Sequence, residues 1–188
     1  MDIKNLLTKV GIIIVILFIM VFVGLGIIFY DVASFTATDS EILQPSGNPL
    51  GDALVVYDPG LSGKSKNVAE VIAKELRSKG YKVDLVGIKS PKATQIDNYD
   101  IIIVGGPVYA GMVAKSVQNY LKALNPRSNT KLGVFTTGND PETANNKELL
   151  LKEAAPLPEN SNLEIHAVIK IVNENNDKIN DFLNDLLI

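Results

Sequence analysis

Two stretches of this sequence hold residue types that could do chemistry. Asp58-Pro59-Gly60-Leu61-Ser62-Gly63-Lys64-Ser65 follows the apolar run Ala53–Tyr57 and precedes Val68, Val71, Ile72 and Leu76 at helical spacing, with Gly80 placed to end that helix. A strand, a turn of small residues and a helix together aim free backbone N–H groups and a positive helix end at an anion. The stretch therefore reads as a phosphate cradle, with Ser62, Gly63, Lys64 and Ser65 as its contacts. Lys64 has two readings, a positive charge for the phosphate or a solvated surface lysine. The second stretch, Gly105-Gly106-Pro107-Val108-Tyr109-Ala110-Gly111, leaves the apolar run Ile101–Val104. Glycines let a backbone approach a flat ligand, and Tyr109 offers a rigid aromatic face for stacking; the blander role for Tyr109 is packing on the rim of the sheet.

Other chemistries are excluded or fall behind. The chain has no cysteine and one histidine, His166, so disulfides, thiol catalysis and multi-histidine metal sites are ruled out. Gly63-Lys64-Ser65 ends like a nucleotide-hydrolase phosphate loop, but that pattern wants glycine where Asp58 stands, and the strand Ile101–Val104 is followed by Gly105-Gly106 in place of an acid. His166 reads as a structural residue on a strand, and Asp97 and Asp100 as loop solvation. From Ala53 onward basic and acidic side chains are equal in number, so no attraction to nucleic acid is expected.

The elements that must position these stretches follow from periodicity. Tyr81–Val86, Leu132–Thr136 and Leu163–Ile171 read as further strands, beside Ala53–Tyr57 and Ile101–Val104. Val117, Tyr120, Leu121 and Leu124 mark one helix; Asp140-Pro141-Glu142 starts another that leads to Leu149–Leu151; Ile179, Phe182, Leu183, Leu186 and Leu187 mark the last. Alternating strands and helices imply a parallel sheet covered on both faces. Lys89–Tyr99 is short for a crossover helix and reads as a loop or a single turn.

Val10–Tyr30 is uncharged and long enough to cross a bilayer, and it reads as a retained anchor in preference to a cleaved signal peptide. Lys4 and Lys9 precede it and no Lys or Arg follows until Lys64, which places the N-terminus in the cytoplasm and the domain outside. The division is thus a short segment at 1–9, a transmembrane helix at 10–30, a flexible linker at 31–52 and a domain at 53–188. The linker, rich in Ser, Thr, Pro and Gly, reads as a solvated tether without a packed core.

From Ala53 to the end the sequence resembles the flavodoxin-like family. Ser62, Gly63 and Ser65 match in type the family's phosphate loop, while Lys64 replaces an asparagine; Gly105–Gly111 is similar to its second flavin loop, and Thr136-Thr137-Gly138-Asn139 occupies the place of the third. The resemblance implies a doubly wound α/β fold with a five-stranded parallel sheet ordered 2-1-3-4-5, here preceded by one transmembrane helix. It implies non-covalent FMN held at its phosphate by Ser62, Gly63, Lys64 and Ser65. Ring contacts would come from Gly106, Pro107, Tyr109, Gly111, Thr136, Thr137 and Gly138. The function expected is electron transfer at the cell membrane, with a redox partner protein the sequence does not name. The alternative is a cofactor-free binding or scaffold module at the cell surface.

Overall fold

The computed structural model describes residues 3–34, 37–158, 160–172 and 176–188. Residues 1–2 of the N-terminal segment and 35–36 of the linker lie outside the described residues. Helix α1 (Ile3–Ser34) contains the 21-residue stretch Thr8–Ile28, which is long and apolar enough to cross a membrane and has no buried residue.

The domain is a sheet with helices on both faces. Strands β2 (Asp52–Tyr57), β3 (Lys82–Gly87), β4 (Ile101–Tyr109), β6 (Lys131–Thr137) and β7 (Ala167–Ile171) pair in parallel in the order β3-β2-β4-β6-β7. Taken as five parallel strands, this is the expected order 2-1-3-4-5. Strand side chains alternate between faces, so an unbroken apolar run supplies two cores at once. Ala53, Val55, Tyr57, Ile101 and Ile103 meet α2 (Lys64–Ser78) and α6 (Asn176–Leu187) through Val68, Ile72, Leu76, Phe182 and Leu183. Leu54, Val56, Ile102 and Val104 face the other way, onto Val117 and Leu121 of α3 (Lys115–Ala123).

Two short connections deserve their physical reasons. Between β3 and β4 there is one 3-10 turn, Pro91–Thr94, capped by Ser90. Buried Asp84 holds that crossover from beneath, accepting from Lys92 Nζ at 2.6 Å and Tyr99 Oη at 2.5 Å. The helix starting at Asp140 is instead two helices. Asp140 caps α4 (Pro141–Ala144), and the side chain of Asn146 accepts from the N–H groups of Glu148 and Leu149 to start α5 (Lys147–Ala154) afresh.

Residues 31–52 do not form a featureless tether. Ser40–Leu43 is strand β1, antiparallel on β3, with Leu43 and Ala37 buried in the first core. It covers what would otherwise be an open sheet edge, a liability in a β protein. The last strand is shorter than expected: Leu163 and Ile165 pack half-buried on the second core, and His166 stands just before β7. His166 is structural in the plainest sense. Its backbone N–H donates to the Leu132 carbonyl at 2.8 Å and its Nδ1 accepts from the Leu132 N–H at 3.2 Å, so the imidazole stands in for a ladder carbonyl.

Candidate functional site

The first loop after β2 is organised from below by a carboxylate. Asp58 is fully buried; one oxygen accepts from the Gly60 N–H at 3.0 Å and the other from the Ser116 hydroxyl at the start of α3. The acid that argued against a nucleotide-hydrolase loop therefore lies under the turn, not inside it. Gly60 is left-handed (φ 62°), and a Cβ there would stand 2.8 Å from the Pro107 ring and 3.2 Å from the Tyr109 hydroxyl. Only glycine lets the loop lie this close to β4.

Gly63 caps α2 with φ 71°, again left-handed, but a Cβ there would meet nothing within 4 Å. The space above this residue is open. Ser65 and Lys66, in the first turn of a 15-residue helix, have backbone N–H groups without a backbone acceptor among the described residues. Unpaired donors and the positive end of the helix dipole make this corner attractive to an anion. Ser62 is exposed beside it, its hydroxyl accepting from the Lys64 N–H at 3.3 Å.

The remaining groups tie this corner to its neighbours. Lys64 extends its ammonium to the Val172 carbonyl after β7. The buried Ser65 hydroxyl pairs with Thr137 at 2.7 Å, linking the start of α2 to the end of β6. The Tyr109 hydroxyl accepts from the Leu61 N–H at 3.3 Å, joining the second stretch to the first loop. Thr136 is buried with its hydroxyl unpaired among the described residues.

The second stretch is a hairpin, not a loop. β4 continues to Tyr109 and turns through Ala110 (φ 49°) and Gly111 (φ 78°) into β5 (Met112–Val113), pairing Val108 with Val113 and Tyr109 with Met112. Two central residues with positive φ are the signature of the tight turn that suits a twisted hairpin. Gly111 is thereby explained by the turn.

Gly105 and Gly106 serve packing. A Cβ on Gly105 would collide with Phe135, and one on Gly106 would lie 2.9 Å from Val117 and 3.0 Å from the Asp58 Cβ. Gly106, expected to touch a flat ligand, has that space filled by protein. Pro107 is buried against Gly60. At the third turn, a Cβ on Gly138 would lie 3.1 Å from Lys170 Cε and 3.4 Å from Val108. The hairpin and the third turn thus meet at Val108.

Ser62–Ser65, Tyr109, Thr137 and Gly138 therefore converge at the C-terminal ends of β2, β4 and β6, on either side of the point where strand order reverses. In open α/β sheets, ligands bind in that crevice. Sequence reasoning missed Asp58 and Ser116 as the loop's support and Lys170 as the floor of the third turn. An acid beginning a Pro-Gly turn was the available signal for the first.

The profile of the flavodoxin domain matches residues 55–167. The chain belongs to the flavodoxin-domain family. An uncharacterised protein of Methanocaldococcus jannaschii is 33% identical over 89 residues, covering 47% of this chain and 55% of that protein. The chain thus spans about half the length of the curated relative it matches. The rubredoxin oxygen:oxidoreductase of Desulfovibrio gigas superposes with a TM-score of 0.52 at 21% identity, covering 74% of this chain but 36% of that one. A flavodoxin of Streptococcus pneumoniae TIGR4 gives 0.51 at 18% identity, covering 72% of this chain and 97% of its own. A short-chain flavodoxin associated with a bacterial microcompartment gives 0.51 at 20% identity, over 73% of this chain and 97% of that one. At such identities the likeness is one of fold, and β1 and α1 lie outside the residues that the flavodoxin-domain profile matches.

Proposed function

We propose that this flavodoxin domain binds FMN and passes electrons while tethered to a membrane by α1. The observation that carries the reading is the corner at Gly63. It offers a left-handed glycine with open space above it, unpaired N–H groups at Ser65 and Lys66, and the start of a long helix, all at the switch point of the sheet. A phosphate fits there. Ser62, Gly63 and Ser65 would hold it with N–H and hydroxyl donors, and Lys64 would add charge by leaving the Val172 carbonyl. Tyr109 and the Thr137–Gly138 turn would flank the ring, while the packing role of Gly106 and the turn role of Gly111 leave the ring to these residues. FMN, when bound, supplies the electron-transfer chemistry; the chain's part is to bind, orient and shield it.

The test is a titration of the purified chain with FMN and with riboflavin, which lacks the phosphate. If the Gly63 corner carries binding, FMN binds far more tightly than riboflavin. Equal affinity removes the cradle from the account.

The tether reading has α1 crossing the bilayer, with Lys4 on the cytoplasmic side and the domain outside. Its support is the uncharged run Val10–Tyr30 and the absence of Lys or Arg between it and Lys64. Protease added to intact cells or spheroplasts should reach the domain, and cleavage only after lysis would reverse the orientation.

A second reading is a cofactor-free binding or scaffold module. It is favoured by the way Tyr109 already holds the Leu61 N–H and Lys64 already holds the Val172 carbonyl, so that groups aimed at a ligand are satisfied within the chain. On that reading the chain binds neither flavin.

A further inference from the structure

β1 fixes where the membrane helix joins the domain. It runs antiparallel to β3, so the chain arrives at the C-terminal end of the parallel sheet. The Asp39 carbonyl accepts from the Gly87 N–H and the Ala37 carbonyl from the Lys89 N–H, each at 2.8 Å. The Asp39 carboxylate also meets Lys66 Nζ, in the first turn of α2, at 2.8 Å. The docked residues therefore stand on the same edge as Gly63. From there β1 runs down to Leu43, opposite Val83, and the chain returns along the far edge, where the Leu50 N–H reaches the Gly80 carbonyl, before β2 begins.

The link to the bilayer is short. Between Ile28, the last residue of the apolar span, and the docked Ala37 lie only residues 29–36. Fully extended, that link covers about 30 Å at roughly 3.3–3.6 Å per residue. With α1 helical as far as Ser34 it covers about 20 Å, since a helix rises only about 1.5 Å per residue. A domain of this size is roughly 35–40 Å across, from a radius of gyration of about 14 Å. The tether is shorter than the domain is wide, and it leaves from the ligand edge.

That edge also carries bare apolar side chains at its loop tips. Leu61, in the first loop, is 53% exposed, and Met112, in the hairpin, is 40% exposed. Lys89 and Lys115 are exposed on the same edge; of its acids, Asp39 is paired with Lys66, and Asp140, Glu142 and Asp177 lie beyond β6, away from the tether. Apolar tips flanked by lysines suit the boundary between headgroups and acyl chains.

We infer that the flavodoxin domain rests on the bilayer by its ligand edge, with Leu61 and Met112 in the interfacial layer and Lys89 and Lys115 on anionic headgroups. The inference rests on α1 being a membrane anchor. Its consequence is that a partner reaching Tyr109 must itself be held in or on the same membrane, because carriers in bulk water meet the opposite end of the sheet.

The absence of cysteine makes the test direct. The full chain, carrying L61C, M112C or S128C, is labelled with a fluorophore and reconstituted into vesicles of phosphatidylcholine and phosphatidylglycerol with nitroxide lipids. Ser128 is an exposed site at the opposite end of the sheet. Labels at L61C and M112C should be quenched several-fold more strongly than at S128C. Flotation of the vesicles after an alkaline wash separates the two ways of failing. Protein left in the soluble fraction overturns the anchor, and this inference with it. Protein that floats while all three labels are quenched alike, or S128C most, overturns the orientation alone.

Discussion

Replacing Lys170 with methionine removes one half of an ion pair buried under the third turn. Lys170 and Glu153 are 2% and 5% exposed; Lys170 Nζ lies 2.9 Å from Glu153 Oε2 and 2.6 Å from Thr143 Oγ1. Glu153 Oε1 has no partner among the described residues, so the lysine is the main compensation for that carboxylate. Removing one member of a buried pair costs about 3–5 kcal/mol, because the other charge is stranded in a poor solvent. Against the roughly 5–15 kcal/mol that keeps a domain folded, this is a large fraction. For a domain of this size it corresponds to a fall in Tm of roughly 10–20 °C. The assay is thermal unfolding of the full chain in detergent, followed by circular dichroism. K170M combined with E153L should recover most of the loss, since a well-packed apolar pair replaces a buried ion pair at little cost. A fall of less than about 3 °C for K170M, or a double variant no better than the single, would refute the reasoning.

Three further outcomes are expected. Gly63→Val puts a β-branched residue at φ 71°, costing about 1–2 kcal/mol of backbone strain and crowding the anion, so FMN affinity falls strongly while the domain stays folded; unchanged affinity in a titration contradicts the cradle. Tyr109→Ala removes stacking worth on the order of 1 kcal/mol, weakening FMN several-fold and raising its fluorescence, whereas Tyr109→Phe keeps the ring and gives up the bond to the Leu61 N–H, worth about 0.5–1.5 kcal/mol; a lower Tm with no change in affinity assigns Tyr109 to packing. Lys66 holds the Asp39 carboxyl below its ordinary value of 3.8, by a hydrogen bond first and by charge second. A depressed folded value means that the contribution is present above that ordinary value and lost as pH falls through the folded one. Amide exchange at Gly87 and Lys89 should therefore be faster in Asp39→Asn than in the parent at neutral pH, and the two should converge in acid; equal rates at neutral pH would show that the pair does not hold the edge strand.

How much was legible in the sequence depended on how much pattern each feature requires. The unbroken apolar runs at Ala53–Tyr57 and Ile101–Val104 signalled strands covered on both faces, and the two cores are built from them in alternation. Gly63 was legible as the glycine that lets the turn before α2 adopt positive φ. β1 was not legible: an edge strand needs only one buried anchor, and Leu43 alone in Ser40–Leu43 gives no period to read. Gly105 and Gly106 were visible as glycines, but their reason lies in Phe135, Val117 and Asp58, which the fold brings from elsewhere in the chain. Lys170 sits in an alternating stretch where a lysine normally points to water; its partner Glu153 comes from a helix 17 residues earlier. Asp58 signalled a misfit to one phosphate-loop pattern, whereas its actual role depends on Ser116, a residue of α3.

Whether the Gly63 corner of this flavodoxin domain holds FMN is read from the visible absorbance of the purified full chain, before and after addition of excess FMN and removal of the unbound portion. FMN held at that corner gives the bands of oxidised flavin at one FMN per chain. A chain that stays colourless after incubation with FMN, while folded by circular dichroism, would contradict it and leave the cofactor-free module as the reading of this fold.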